Sequence, residues 1–177
     1  MIMRWNRFIP YIWTWPFDII VWLVWVILWA AWGENLRWEQ GCLVFNWKVD
    51  SWPARTWYRR WGGTTMGHAI FYNWYVKEQN DVERFEPIQV HEHVHVEQFE
   101  VWMLSSFIIG LIVQLVVGLG HGEWVTGSVL GGIIWFLGYA WMGIGGWTTA
   151  LVRGEDAYRS SAHEEAAYAI GDASRDH

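Results

Sequence analysis

Three long apolar stretches dominate this chain: about Pro16 to Trp32, about Val101 to Gly120, and about Trp124 to Val152. Each approaches or exceeds the roughly 20 mostly apolar residues that a bilayer crossing requires. In the first, Pro16 suits a helix start, Gly33 and Glu34 end the run, and only Asp18 interrupts its apolar character. A cleaved leader is the alternative, because Arg4 and Arg7 precede the run and Ala30 and Ala31 are small. Its bulky tryptophans suit a retained anchor better. The second and third stretches are separated only by His121-Gly122-Glu123, which predicts an antiparallel helical hairpin in the membrane. Gly127 with Gly131, and Ser128 with Gly132, form small-xxx-small pairs that allow close approach of helix backbones, within the hairpin or between copies in a homo-oligomer.

Composition points the same way. Eighteen of the 177 residues are Trp, a side chain favoured where one end is wet and the other apolar, so membrane lipid is an expected partner. A net charge of -6 without a long basic run argues against nucleic acid as a partner. Cys42 is the only cysteine, so neither an internal disulfide nor a thiolate metal site can form.

Between the first two apolar stretches, residues 34–86 form a Trp-rich polar section. Leu43 to Val49 and His68 to Val76 are rich in β-branched and aromatic residues, which predicts two or three antiparallel strands, with Gly62-Gly63 as a turn. Lys77 to Glu86 reads as a solvated loop leading to Pro87, a good first residue for the next helix. The charged, alanine-rich tail predicts an amphipathic helix from about Asp156 to Ile170, stopped by Gly171. The expected fold class is α+β, mostly α: an anchor segment (1–33), the strand section (34–86), and a functional part (87–177) that works as one unit with it.

The chemistry concentrates just before the second apolar stretch. His91-Glu92-His93-Val94-His95 contains His-Glu-x-x-His. On a helix, positions i and i+4 share a face, so His91 and His95 can converge on one zinc ion. Glu92 then sits near the open side of the metal as general base, taking a proton from metal-activated water and passing it to a leaving amine. His93 falls off that face. A catalytic zinc site usually has three protein ligands, and topology points to the third. If the hairpin rises and returns at about 1.5 Å per residue, the chain regains the His91 level near Ala150. The tail helix, with His163, Glu164 and Glu165, then lies beside the motif. Glu164 is preferred, because the small Ala167 on its face permits close packing, with Glu165 as the alternative. His121 belongs to the far turn.

Three segments in order, Thr65-Met66-Gly67-His68-Ala69-Ile70-Phe71, His91 to Glu100, and Tyr158-Arg159 with Glu164-Glu165-Ala166-Ala167-Tyr168, resemble a family of small gluzincin-like HExxH metallopeptidases of bacteria and phages. The resemblance covers about Thr65 to Tyr168. It implies that Glu164 is the third ligand in a minimal zincin-like site and that the strand around Gly67, Ala69 and Ile70 borders the cleft, where it can pair with an extended peptide substrate. Ser161-Ala162-His163 departs from the family, which often has Asn-Pro and an aromatic there.

Gln98, on the face of His91 and His95, is a candidate to steady a ligand or the substrate. His68 and Tyr168 are candidate oxyanion donors, each with a structural alternative: a strand-edge partner for His68, a membrane-surface anchor for Tyr168. The functional expectation is a membrane-associated zinc peptidase acting on peptides or proteins that reach the lipid surface. The alternative is a non-catalytic membrane or virion-associated protein with a structural metal. A metal transporter is disfavoured, since Gln114 is the only strongly polar group in the hairpin. Arg37, Lys48, Arg55, Arg59 and Arg60, against a hairpin turn with no Lys or Arg, place the site on the cytoplasmic side by the positive-inside rule. Arg4 and Arg7 argue the other way if the first stretch crosses the membrane, a conflict that an interfacial first segment removes.

Overall fold

The computed structural model describes residues 9–56, 62–73, 82–154 and 161–173. The chain order is α1 (Tyr11–Trp32), β1 (Gly33–Glu39), β2 (Cys42–Trp47), α2 (Trp52–Arg55), β3 (Gly63–Met66), β4 (Ala69–Asn73), α3 (Val82–His121), α4 (Trp124–Val152) and α5 (Ala162–Ala173). The molecule is mostly helical with one small sheet, in line with the expected class.

The sheet differs from the expected antiparallel set. Its order is β1-β2-β4-β3, and β2 runs parallel to β4 while both outer pairs are antiparallel. Parallel neighbours need a crossover rather than a hairpin. Here the crossover is the segment carrying α2, so β2 and β4 do not pair as a hairpin. β1 was not anticipated because Glu34, Asn35, Arg37 and Glu39 mask its alternation.

Period-two alternation divides the sheet's side chains between two helices. Leu43, Phe45, Trp47, Ala69 and Phe71 pack against Phe17, Val21, Trp25 and Trp29 of α1. Cys42, Val44, Ile70 and Tyr72 turn the other way, onto Ile88 and Val96 of α3. The sheet is therefore sandwiched between α1 and the first half of α3.

The helix α1 begins at Tyr11, so Pro16 lies inside it rather than at its start. Its inner face carries Asp18, whose carboxylate accepts the backbone N–H of His68 at 3.0 Å and sits 2.9 Å from His68 Nδ1. At the start of α1, Trp13 Nε1–H donates to the Glu100 carbonyl, and Trp135 Nε1–H donates to the Trp13 carbonyl at 2.6 Å. Its end is fixed by Lys48 N–H donating to the Trp32 carbonyl.

With 40 residues, α3 is about 60 Å long, twice a typical hydrocarbon thickness. It begins at Val82 and runs through Pro87, so only residues 77–81 of the anticipated loop remain, and these lie outside the described residues, as do Trp74 to Val76 of the anticipated strand. Its second half forms the hairpin with α4. The backbones meet at Gly110 and Gly131, where a Cβ on Gly110 would lie 2.5 Å from the Gly131 carbonyl oxygen. Gln114 donates to Ser128 Oγ across the pair. The outer surface of the hairpin exposes Ile108, Ile112, Leu115, Val116, Leu119, Val125, Val129 and Ile133.

The returning chain brings α5 against the first half of α3. Gly171 does not stop this helix; it lies within it, at the contact, where a Cβ would be 3.1 Å from the Pro87 carbonyl oxygen. Residues 155–160, including Asp156, Tyr158 and Arg159, lie outside the described residues.

Candidate metal centre

One helical turn separates His91 from His95, and their Nε2 atoms face each other 3.1 Å apart. From α5, Glu164 reaches between them: Oε2 is 3.4 Å from His91 Nε2, and Oε1 is 3.5 Å from His95 Nε2. Ligand atoms of the three side chains all lie within 4.8 Å of one another, a group that could hold a metal ion. Glu164 is buried and Glu165 exposed, so of the two candidate glutamates only Glu164 faces this point. Ala167 is fully buried at the same contact.

The donor set fits a divalent cation for a specific reason. Gln98 donates its amide N–H to the His163 carbonyl at 2.8 Å, which turns its Oε1 toward His95 Nδ1 at 2.9 Å. His95 Nδ1–H donates there, so in the neutral ring the Nε2 lone pair is the one directed at the shared point. Gln98 thus orients the His95 ring and ties α5 to α3, the arrangement expected of a group that would support a ligating histidine. Burial alone would raise the Glu164 carboxyl, but the neighbouring His91 and His95 lower it to about 2.

Glu92 is buried one residue on from His91. Its Oε2 accepts the Thr65 hydroxyl at 2.7 Å. A Cβ on Gly63 would lie 2.7 Å from Glu92 Oε1, so glycine is the residue that leaves room for this carboxylate against β3. Burial pushes the Glu92 carboxyl above its ordinary range, against the opposing pull of His95, Thr65 and His91. A buried carboxyl raised in this way is suited to accept a proton from a neighbouring group.

The remaining candidates fall into place unevenly. Tyr168 packs its tilted ring 4.5 Å from that of His91 and is exposed. The His163 ring lies 6.1 Å from that of His95, and burial lowers its pKa. His93 bonds back to the Gln89 carbonyl, and His121 ends α3 at the far end of the hairpin.

Two expectations are corrected. Both ring nitrogens of His68 are committed, Nδ1 to Asp18 at 2.9 Å and Nε2 to Glu100 at 3.0 Å, in a wholly buried position, so neither is free for an oxyanion. Its pKa is raised: burial opposes the charge, but the two carboxylates outweigh it. The strand bordering the centre is β3 rather than the Gly67, Ala69 and Ile70 segment. Ala69 and Ile70 are fully buried in β4, which is paired on both sides, and Gly67 is in the β3–β4 turn at φ +59° with Asp18 against it.

Thr65 and Gly63 were not singled out as functional from the sequence. The signal that could have found them is the Gly-Gly-Thr-Thr run just before the Met66-Gly67 turn, small residues at a strand that must pass close to a carboxylate. Comparison with protein families, characterised proteins and solved structures returns no match for this chain.

Proposed function

We propose that this chain is a membrane-associated, zinc-dependent peptidase. The observation that carries the reading is the convergence of His91, His95 and Glu164 on one point, with the Glu92 carboxylate held beside it by Thr65. A bound zinc would supply a Lewis acid that polarises a carbonyl and eases ionisation of water. Glu92 would take the proton of the attacking water on its carboxylate and deliver it to the departing amine nitrogen. Thr65 holds that carboxylate in place, and Gln98 keeps His95 in the ligating tautomer. Tyr168, packed against His91, is the proposed donor to a developing oxyanion.

Placement at a membrane rests on helix length and composition. Tyr11–Trp32 and Pro87–His121 are both long and apolar enough to cross a bilayer. They do not share a level, however. From Asp18 onward α1 lies along the sheet, and only its first turns reach Glu100 and Trp135. Placed end on, the two would need about twice the hydrocarbon thickness. A sheet whose outer strands β1 and β3 pair on one side only, among the described residues, is excluded from lipid. The hairpin from about Val101 is therefore the crossing element in this reading, and α1, whose outer face exposes Ile12, Leu23 and Ile27, lies with the body at the lipid surface. That assignment also removes the conflict between Arg4 and Arg7 and the later basic residues, and favours a cytoplasmic site.

The test is elemental analysis of purified protein beside His91→Ala, Glu164→Ala and Glu92→Gln variants, with cleavage followed on a randomised peptide library. Metal in wild type and Glu92→Gln but not in the other two, with cleavage only in wild type, supports the reading. Absence of metal from wild type rejects it. Burial of Glu92 and Glu164, at 5 % and 4 % exposure, favours a second reading in which the metal only pins α5 to α3. Metal retained with no cleavage by wild type would select that one.

A further inference from the structure

Among the described residues, no strand pairs with the outer edge of β3. Asn73 N–H donates to the Gly62 carbonyl, which makes 62 and 73 a hydrogen-bonded pair in the register that matches Gly63 with Tyr72. Antiparallel bonding alternates, so Thr64 also bonds inward to β4, while the backbone N–H and C=O groups of Gly63 and Thr65 point outward. These are the two residues that flank the Glu92 carboxylate.

The direction of β3 relative to α3 is fixed by three contacts. Gly62 lies against Ile88, Thr65 bonds Glu92, and His68 bonds Glu100. Strand and helix numbers rise together, so β3 points toward the hairpin end of α3. An extended polypeptide that adds to β3 antiparallel, the stronger of the two pairings and the one β3 already makes with β4, runs the opposite way. Its N-terminal part then lies at the hairpin end and its C-terminal part leads away from it.

Distance supplies the second constraint. Val101, where the apolar run begins, stands about 9 Å beyond His95 and about 15 Å beyond His91 along the helix. At about 3.3 Å per extended residue, that gap holds three to five residues.

Resting on the peptidase reading above, we propose that the substrates are membrane-anchored polypeptides whose transmembrane segment lies on the N-terminal side of the scissile bond, cut about three to five residues after the chain leaves the bilayer. The anchor holds the substrate beside the hairpin, and the outer edge of β3 at Gly63 and Thr65 aligns the emerging strand with the metal centre. Anchoring also replaces much of the affinity that a short strand edge lacks, by raising the local substrate concentration.

The experiment uses metal-loaded full-length protein in phosphatidylcholine vesicles with three sets of synthetic peptides carrying the same randomised segment. In one set the segment follows a 20-residue apolar helix, in another it precedes the helix, and the third has no helix. Products are sequenced by mass spectrometry, with Glu92→Gln as the blank. The expected result is cleavage at least tenfold faster in the first set, with cuts clustered three to five residues past the helix. Equal or faster cleavage of either other set, or cuts spread without regard to distance, overturns this substrate assignment and leaves the peptidase reading standing. No cleavage of any set by metal-loaded protein overturns both.

Discussion

The hydroxyl of Thr65, on β3, donates to the carboxylate of Glu92, on α3, across 2.7 Å. This bond joins the outermost described strand of the sheet to the proposed proton carrier, and it favours the ionised form of that carboxylate.

Thr65→Val keeps the side-chain shape and removes the donor. A hydrogen bond to a charged group contributes roughly 1.5–3 kcal/mol, so peptide cleavage should fall about 10- to 100-fold. Because the lost bond lowers the Glu92 pKa, the acid limb of the pH–rate profile should move to higher pH, while metal content stays at the wild-type level. An unshifted acid limb would remove Thr65 from the mechanism. Gly63→Ala should act more severely on the same carboxylate, since its Cβ has no room beside Oε1.

Gln98 holds the His95 tautomer and bonds the His163 carbonyl. Gln98→Ala should weaken metal binding about 10- to 100-fold, the usual cost of losing a group that orients a ligating histidine. Competition with a chelator of known affinity measures this, and unchanged affinity would show that the tautomer is set elsewhere.

His68 predicts a pH dependence of stability in metal-free protein. Its pKa is raised in the folded state, so the stabilisation it brings is complete below its ordinary value of 6.5 and is lost as pH rises through the higher folded value. Thermal unfolding of chelated protein in detergent should show Tm falling as pH rises above 6.5, and falling less in His68→Gln. Parallel slopes for the two proteins would refute the assignment.

The hairpin should be intolerant of bulk at its crossing. A side chain at Gly110 meets the Gly131 carbonyl, which is backbone and cannot turn aside. Gly110→Val should destabilise by about 1–3 kcal/mol or more, the usual range for overpacking, whereas the same change at Gly132, with open space around it, should be nearly silent. Unfolding in detergent distinguishes the two, and equal effects would mean that the helices cross elsewhere.

How much of this was legible depends on whether a residue's role is local. His91, Glu92 and His95 could be read directly because helical spacing alone puts the two histidines on one face. Glu164 could be placed because two helices of similar rise return the chain to its starting level. The sheet was less legible. Its parallel β2–β4 pairing depends on a crossover, and period-two alternation says which side chains share a face without saying which strands are neighbours. The family resemblance points to the Gly67 to Phe71 strand as the border, and alternation offers nothing to set against it; the strand beside Glu92 is Gly63–Met66. Asp18 was visible only as an interruption in an apolar run, because its partner His68 is 50 residues away.

That interruption gives the last prediction. Asp18 is 1 % exposed and satisfies both the backbone N–H and the ring of His68, so it fixes α1 to the β3–β4 turn. Removing one member of a buried charged pair costs about 3–5 kcal/mol, because the partner stays buried without compensation. Asp18→Ala should lower unfolding stability by that order, whereas Asp18→Asn, which can still accept the His68 backbone N–H, should lose less. If α1 were only a membrane tether, both variants would unfold like wild type and metal binding would be indifferent to either. A large loss in Asp18→Ala with partial recovery in Asp18→Asn makes the apolar first helix a structural part of the body that carries β3 and the metal centre.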